Sequence, residues 1–467
     1  MMLKRSRKLQ EAGDETAMKE DQDAGSLADR LIARLDSTEA VIGVIGLGYV
    51  GLPVLRAFHD CGFRTLGFDI DPHKIERLNR GGSYMTTTPP AAVAAMVASG
   101  RFEATADFDR LGEPDALLIC VPTPLTRQRE PDLSHIIRTA QSLQPRLRRG
   151  QLIVLESTSY PGTTAEVLKP LLEQSGLRSG ADFLLAYSPE REDPGNAAFT
   201  TSSIPRIVAG DGAAASRAVA ALYGKAVESV VPVSSLATAE AVKLMENIFR
   251  SVNIALVNEL KQVYRAMGID IWEVIDAAKT KPFGYMPFYP GPGLGGHCIP
   301  IDPFYLAWKA REFGVATRFI ELAGEINTVA PGHVLDAVIE TLNTRQQKSL
   351  SGSRILVLGA AYKKNIDDTR ESPALQLMEM LEARGADVAY YDPFIPEIPP
   401  TRKHGSLAGR RSVAWDPASF GSYDLALICT DHDGVDYAGL VAAVPNVVDT
   451  RNATRTVTAQ RDRIVLA

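Results

Sequence analysis

Four residues in the second half of the chain have side-chain types and spacing that could support covalent chemistry. Cys298 lies in the stretch "FYPGPGLGGHCIPIDP" (288–303), and Asp302 follows it by four residues. Lys243 and Asn247 are four residues apart in a helical pattern, so they share one helix face. A thiolate beside an ammonium is a nucleophile, and an ammonium and an amide together can stabilise an oxyanion. By spacing alone, an inert thiol and a solvent-facing pair remain open alternatives.

The segment around the cysteine is a loop. Four glycines and four prolines in sixteen residues exclude a regular helix or a central strand. Glycine lets a backbone approach a ligand closely, so Phe288, Tyr289, Gly291 and Gly295 are candidate substrate contacts. His297 suggests a Cys–His pair, but adjacent side chains point in different directions, which favours a structural role for this histidine in the loop.

A second glycine-rich segment, "GLGYVG", runs from Gly46 to Gly51 and fits the dinucleotide-binding pattern GxGxxG. It follows an apolar strand and opens a helix, which is the context that the pattern requires. Gly46 permits the tight turn, Gly48 lets a pyrophosphate approach the helix N-terminus, and Gly51 allows close helix–strand packing. Tyr49 and Val50, between the last two glycines, complete the predicted contacts of this turn.

Two further positions lie where α/β folds place ligands, at strand ends. Asp69 ends the second strand, about 20 residues after the glycine turn, and is placed to accept hydrogen bonds from the adenosine ribose. This position predicts NAD rather than NADP as the cofactor. Thr158, in "LESTSYPGTT", follows a later strand.

Composition limits the class of protein. The chain has 467 residues, 45% apolar and 23% charged, with a net charge of −6, so it can form two or three globular domains and is not a general nucleic-acid binder. The four cysteines lack disulfide-framework or metal-site spacing. No segment reaches the ~20 apolar residues of a membrane span. We therefore expect a cytoplasmic protein without a metal, and a flexible extension at residues 1–38.

Strand-like and helix-like segments alternate from residue 39 onward, which predicts parallel sheets with right-handed crossovers. "RILVLGAAYK", "DVAYYDPF" and "DLALICTD" echo "VIGVIGLGYV", "RTLGFDIDP" and "DALLICVP". A long helical pattern separates the two sets. The sequence thus predicts an α/β protein with two Rossmann-like, doubly wound domains (39–234 and 343–467), joined by a long central helix and a helical region with the cysteine loop (235–342). The second glycine turn keeps only Gly359, so the echo does not imply a second dinucleotide.

The ordered motifs resemble the UDP-glucose/GDP-mannose dehydrogenase family. They are "GVIGLGYVGLP", "VPTP", "EST…PGTT", "YSPER", "EAVKLMENIFRSVNIALVNE", "GPGLGGHCIPIDP" and "AYKKNIDDTRESPA". The resemblance spans nearly everything from residue 39 to the C-terminus. It implies NAD-dependent, two-step oxidation of a sugar C6 hydroxyl to a carboxylate, a helical dimerisation region and a C-terminal domain for the UDP part. A homodimer or higher homo-oligomer is expected.

The resemblance also implies roles for individual residues. Cys298 is then the nucleophile, Lys243 and Asn247 stabilise oxyanions, and Asp302 and Thr158 assist water and proton handling. The resemblance also places Glu190 near the reacting centre, Lys363 in contact with the sugar nucleotide, and Lys74, Thr123, Thr158 and Arg370 in contact with the cofactor. Arg191 and His297 are candidate polar partners for an acetamido group on the sugar.

Two stretches depart from the UDP-glucose enzymes: "SPEREDPG" and "GGHCIPIDP". They resemble the branch that oxidises UDP-N-acetylhexosamines, and within it the UDP-N-acetylglucosamine 6-dehydrogenases, which supply uronic acid sugars for surface polysaccharides. The alternatives are UDP-N-acetylmannosamine or UDP-glucose as substrate. A silent nucleotide-binding scaffold is disfavoured because Cys298, Lys243, Asn247 and Asp302 are all present.

Overall fold

The computed structural model describes residues 27–85, 87–126, 128–191, 202–296, 299–401 and 403–467. The chain divides into two compact units, residues 1–245 and 246–467. The division falls within a long helix, so this helix contributes residues to both units. The predicted domain limits stay predictions.

The first unit is built around one eight-stranded sheet. Its strands are β1 (Val41–Ile45), β2 (Arg64–Phe68), β3 (Phe102–Thr105), β4 (Ala116–Ile119), β5 (Leu152–Leu155), β6 (Leu184–Tyr187), β7 (Arg206–Gly210) and β8 (Val230–Pro232). They lie in the order β3-β2-β1-β4-β5-β6-β7-β8. Neighbouring strands are parallel except β6 and β7, which are antiparallel. Strands β1 to β6 therefore all end at one edge of the sheet.

The helices of this unit are α1 (27–36), α2 (Gly51–Asp60), α3 (Pro72–Asn79), α4 (Pro90–Ala98), α5 (Ser134–Leu143), α6 (Lys169–Glu173) and α7 (Ala213–Tyr223). The first of them falls inside the segment predicted to be a flexible extension. Ala28, Leu31 and Leu35 recur on one face of α1 and are buried in the apolar core beside β1 and α2. The expectation of flexibility is therefore wrong for residues 27–36, and residues 1–26 lie outside the described chain.

The second unit contains a parallel five-stranded sheet. Its strands are β9 (Arg354–Leu358), β10 (Asp387–Tyr391), β11 (Leu425–Ile428), β12 (Val447–Asp449) and β13 (Ile464–Leu466), in the order β10-β9-β11-β12-β13. Helices α12 (Pro373–Glu382), α13 (Pro417–Phe420) and α14 (Tyr437–Ala443) follow in the same part of the chain.

Four helices fill the middle of the chain: α8 (Leu236–Ala266), α9 (Ile271–Ala278), α10 (Asp302–Glu312) and α11 (Arg318–Gln346). Ser235 caps α8, since its hydroxyl accepts the Thr238 N–H at 3.1 Å. Gly268, just past its end, has a φ of 71°, which is the left-handed conformation that ends many helices. The residues at both ends of this long helix therefore favour the limits that it has.

The predicted fold class, with two parallel-dominated sheets and a long central helix, is confirmed. Among the described residues, no helix combines the length and apolar character needed to cross a membrane.

Candidate active site

The turn between β1 and α2 has the geometry expected of a dinucleotide site. Gly46 has a φ of 92°, which strains any residue with a Cβ. A Cβ on Gly51 would lie 1.9 Å from the Gly46 carbonyl oxygen, whereas a Cβ on Gly48 would meet nothing within 4 Å. The third glycine thus serves packing, and the second leaves open space at the start of the helix. These residues fit a bound pyrophosphate.

Asp69 follows β2 and is buried. Its Oδ2 accepts the Leu47 N–H at 3.0 Å, and its Oδ1 accepts the Asp71 N–H at 3.0 Å. The Lys74 ammonium lies 3.3 Å from Oδ2 and 5.6 Å from the centre of the Tyr84 ring. Asp69 therefore holds the glycine turn in addition to the predicted contact with ribose. Lys74 lies beside it, and its contact with the cofactor stays a prediction.

The remaining residues predicted to contact cofactor are divided between the units. Thr123 is buried after β4, and Thr158 is half-buried after β5, at the same sheet edge as the glycine turn. Arg370 belongs to the second unit, where its guanidinium is held by the Asp368 carboxylate at 2.6 Å. Its reach to the cofactor stays a prediction.

Lys243 is paired with Glu190 inside the first unit. The ammonium donates to the Glu190 carbonyl and, at 3.1 Å, to its carboxylate. The two side chains are 6% and 11% exposed, so neither faces bulk water. Glu190 comes three residues after β6 and therefore lies at the ligand-bearing edge of the sheet. Arg191 turns to the Pro205 carbonyl at 2.6 Å.

Asn247, one turn further along α8, is paired with Asp302 inside the second unit. The Asn247 Nδ2 donates to the Asp302 Oδ2 at 2.5 Å, and both residues are buried. Asp302 is the first residue of α10. Cys298 and His297, just before that helix, lie outside the described residues, so the proposed nucleophile has no observed geometry.

The loop that precedes the cysteine packs against aromatic side chains and the second sheet's loops. Tyr289 stacks on Trp272 with the ring centres 5.8 Å apart, and Phe288 meets Phe249 edge-on at 5.6 Å. A Cβ on Gly295 would lie 2.5 Å from the Tyr362 Cβ. This position therefore accepts only glycine.

Lys363, next to Tyr362, is half-buried. It belongs to the segment after β9 and thus to the same unit as the cysteine-proximal loop. Its contact with the sugar nucleotide stays a prediction.

Sequence reasoning missed Glu240, a buried carboxylate one turn before Lys243 on α8. It accepts hydrogen bonds from the Gly162 N–H at 2.6 Å, the Thr164 N–H at 2.8 Å, the Thr164 hydroxyl at 2.7 Å and the Ser159 hydroxyl at 3.3 Å. Glu240 thereby ties the loop containing Thr158 to the helix that carries Lys243. The available signal was the position of Glu240, three residues before Lys243 and therefore on the same helix face.

A second missed group lies beneath the same sheet edge. The Arg206 guanidinium is 2.5 Å from the Glu156 carboxylate, and both are buried. Tyr223 donates to Glu156, and Arg206 donates to the Ser188 hydroxyl at 2.8 Å. The network joins the ends of β5 and β6, which lead directly to Thr158 and Glu190. In the sequence, the available indication of this network was a charged residue, Glu156 or Arg206, at the end of an apolar strand.

The three described cysteines are held as thiols. Burial raises the thiol pKa of Cys120 well above its usual value and that of Cys429 to about 12. Burial and the nearby Asp60 raise the pKa of Cys61, whose thiol donates to the Lys225 carbonyl. None of these three environments favours the reactive thiolate.

Curated relatives share most of the chain. A UDP-N-acetyl-D-mannosamine dehydrogenase of Pyrococcus horikoshii is 36% identical over 76% of this chain and 84% of its own length. A UDP-N-acetyl-D-glucosamine 6-dehydrogenase of Pseudomonas aeruginosa is 32% identical over 84% of this chain and 90% of its own. The solved structure of a Pyrococcus horikoshii UDP-D-ManNAc dehydrogenase has a TM-score of 0.80 at 33% identity, covering 88% of this chain and 96% of that one.

Three domain models of one family match in sequence order. They are the NAD-binding domain of the UDP-glucose/GDP-mannose dehydrogenase family at residues 40–227, its central domain at 237–329 and its UDP-binding domain at 356–456. Together they cover well over half of the chain, and the glycine turn and Asp69 lie in the matched NAD-binding part. The chain therefore belongs to the UDP-glucose/GDP-mannose dehydrogenase family and is an NAD-dependent UDP-sugar dehydrogenase.

Proposed function

We propose that this enzyme oxidises C6 of UDP-N-acetyl-D-glucosamine to a carboxylate, giving UDP-N-acetyl-D-glucosaminuronic acid for a surface polysaccharide. The stretches "SPEREDPG" and "GGHCIPIDP" support an N-acetylated substrate, since both differ from the UDP-glucose enzymes where the sugar is expected. The relative from Pseudomonas aeruginosa carries this activity in its name.

One observation carries the proposal. Successive turns of α8 present an ammonium and an amide, and each is fixed by a buried carboxylate of its own unit: Lys243 by Glu190 and Asn247 by Asp302. Such donors are held before the reaction begins. Preorganised donors stabilise a charge that develops on an oxygen more effectively than mobile ones do.

These residues have distinct roles in the proposed reaction. The glycine turn and Asp69 would hold NAD, and each of the two oxidation steps would use one NAD as its hydride acceptor. Lys243 and Asn247 stabilise the oxygen at C6 as it acquires negative charge. After the alcohol has become an aldehyde, the Cys298 thiolate adds to the carbonyl carbon and forms a thiohemiacetal. Loss of a second hydride gives a thioester on the cysteine.

Water completes the proposed reaction. It adds to the thioester carbon, the thiolate leaves, and the sugar carboxylate is released with a proton. Asp302, which Asn247 holds by a hydrogen bond, and Thr158 assist this water. Covalent capture divides a difficult oxidation into easier steps and keeps the aldehyde on the enzyme.

UDP-N-acetyl-D-mannosamine is the second candidate substrate. The relative with that name from Pyrococcus horikoshii is 36% identical, somewhat above the 32% of the glucosamine enzyme. The two sugars differ only in the direction of the acetamido group at C2, so the same catalytic residues serve either one.

A homodimer through the central helices is part of the proposal. Within the second unit, large apolar side chains are exposed on α8 and α11, among them Leu256, Val263, Phe319, Leu322 and Val329. Exposed apolar surface of this kind marks an interface, and the family resemblance implies dimerisation in this region. The cytoplasmic location stays a prediction.

The test is NADH formation with a panel of UDP-sugars. We expect kcat/KM with UDP-N-acetylglucosamine to exceed that with UDP-glucose at least about tenfold, because a site built around the acetamido group leaves polar groups unpaired with UDP-glucose. UDP-N-acetylmannosamine should also be poorer, and each sugar consumed should yield two NADH.

Other outcomes of the panel would change the proposal in defined ways. Higher efficiency with UDP-N-acetylmannosamine would transfer the assignment to the second candidate, and preference for UDP-glucose would remove both. One NADH per sugar, with free aldehyde as the product, would contradict the cysteine route. A complete lack of turnover, with UDP still bound, would support the silent scaffold.

A further inference from the structure

Lys261 on α8 is a buried lysine to which the proposed chemistry assigns no role. It lies 18 residues beyond Lys243, which is about five helical turns. Its side chain is buried, and its Nζ is 3.4 Å from the Gly291 carbonyl oxygen in the glycine-rich loop. Lys261 forms no ion pair with any residue that the structure describes. A buried ammonium without a counter-charge is costly.

A second cation meets the same glycine. Arg451 follows β12, and its Nε donates to the Cys429 carbonyl at 3.0 Å. Its Nη1 would lie 2.5 Å from a Cβ on Gly291, so the guanidinium packs directly against that part of the loop. Lys261 and Arg451 therefore place two positive charges beside one stretch of backbone. Asp431 and Asp449 act on Arg451, whereas no carboxylate of the described residues is among the charges that act on Lys261. The lysine therefore lacks the negative charge that the arginine already has nearby.

The loop backbone between these cations is held in place. The Gly291 N–H donates to the Asn258 Oδ1 at 3.0 Å. Asn258 donates to the Asn327 Oδ1 at 3.1 Å, and Asn327 donates to the Ser251 carbonyl at 3.1 Å. This buried ladder connects α8, α11 and the loop, so the position of Gly291 is fixed before any ligand arrives.

We propose that Lys261 binds the diphosphate of the UDP-sugar, beside Arg451 and the fixed backbone of Gly291. This inference rests on the proposed function. A diphosphate supplies the missing negative charge. Its oxygens accept hydrogen bonds from the N–H groups of the Lys261 ammonium that do not point to the Gly291 carbonyl. Arg451 belongs to the matched UDP-binding domain, which brings the same ligand to the same place.

Proton uptake should accompany this binding. Burial, together with the charges of Arg451 and Arg265, lowers the pKa of Lys261 to about 8. An anion beside the amine favours the ammonium, so the pKa rises in the complex. Below pH 8 the free protein already carries the charge, whereas above pH 8 binding must take up a proton. Affinity should therefore fall as pH rises through about 8.

Some of the other charged groups around Lys261 already have charged partners. Arg265 is paired with Glu340 of α11 at 2.7 Å. Asp431 and Asp449 act on Arg451, and burial raises the pKa of Asp431, against the effect of Arg451. Glu259 and His333 line a cavity of about 230 Å³ together with Lys261.

The experiment is calorimetric titration of the full chain with UDP, and with uridine as the ligand that lacks phosphate. For Lys261→Met we expect UDP to bind about 10- to 100-fold more weakly, because a charge-assisted hydrogen bond is lost, while uridine affinity stays the same. Lys348→Met, which removes an ion-paired lysine elsewhere in this unit, should leave both affinities unchanged.

A second measurement needs no variant. The Kd of the wild-type protein for the UDP-sugar should rise between pH 8 and pH 9.5 by more than the Kd for uridine, which shares any titration of the uracil ring. Lys261→Met should abolish this difference.

The inference is overturned if Lys261→Met binds UDP as tightly as the wild type. It is also overturned if the variant changes only its oligomeric state in light scattering, because the lysine would then face a second copy of the chain. If UDP binding weakens as expected but no UDP-sugar yields NADH, the lysine assignment stands and the proposed reaction fails.

Discussion

Lys243 and Asn247 lie one helical turn apart, yet their hydrogen-bond partners give them different roles. The ammonium of Lys243 is shared between the Glu190 carbonyl and carboxylate, so its charge is held in place. The Asn247 amide instead donates to Asp302 and so orients that carboxylate. The lysine is thus suited to stabilise charge, and the asparagine to position an acid–base group as well.

Replacing Lys243 by methionine should lower kcat by about 10²- to 10³-fold, the usual cost of one donor to a developing oxyanion. The KM for the UDP-sugar should change little, because the donor acts mainly in the transition state. Steady-state kinetics with NADH detection measure both values. Lys225→Met removes a lysine paired with Asp36 in the same unit and should be silent. A kcat within about threefold of the wild type would exclude the assigned role.

Asp69→Asn separates the two roles of that carboxylate. An asparagine oxygen can still accept the Leu47 N–H, so the glycine turn should persist and the melting temperature should shift little. The ribose loses a charged acceptor, and a 2′-phosphate is no longer repelled. We expect the KM for NAD to rise about tenfold, which corresponds to the loss of one charged hydrogen bond. The preference of the enzyme for NAD over NADP should become smaller.

The matched control is Asp71→Asn, which changes a carboxylate two residues away. Asp71 caps α3 through the His73 N–H, and asparagine is an equally good cap. The KM of the Asp71→Asn variant for NAD should not change. If wild-type enzyme already uses NADP as well as NAD, Asp69 does not select the cofactor.

At the scale of elements, Gly48 and Gly51 have different roles in the turn between β1 and α2. Gly51→Ala would force a methyl to within 1.9 Å of the Gly46 carbonyl, so the turn must shift, at a cost of about 1–3 kcal/mol in unfolding free energy. Gly48→Ala meets open space and should fold normally. Its methyl would instead occupy the approach of the pyrophosphate, so NAD should bind at least about tenfold more weakly.

Denaturant unfolding and NAD titration together test this pair. The expected pattern is a stability loss confined to Gly51→Ala and a binding loss without a stability loss in Gly48→Ala. The interpretation of the turn fails if Gly48→Ala binds NAD normally, or if both variants unfold alike.

For the whole molecule, the sequence was sufficient to predict those features that depend on residues close together in the chain. Strand–helix alternation and the strand–turn–helix context of the glycine motif each depend on neighbours in the chain, and the structure contains both. The buried pairs Glu156–Arg206 and Lys243–Glu190 join residues about 50 apart, and no local pattern encodes such partners. Helix α1 was missed because its apolar residues follow a long charged segment, which dominates the composition.

The proposed dimer gives the last prediction. Leu256 on α8 and Phe319 on α11 are 50% and 78% exposed, and a stable interface requires about 800 Å² of such surface from each partner. Introducing a charge at the centre of an apolar interface leaves it buried and unpaired. Leu256→Glu combined with Phe319→Glu should therefore convert a dimer into a monomer, as measured by light scattering after size-exclusion chromatography.

The control is Val231→Glu on strand β8 of the first unit, where the valine is 40% exposed and lies outside the proposed interface. This variant should keep the wild-type mass, and all three proteins should retain the same circular dichroism because the altered side chains are exposed. If the double variant remains a dimer, these helices do not form the interface. A monomeric wild type would remove the dimer from the proposal altogether, since exposed apolar surface on α8 and α11 would then require another partner.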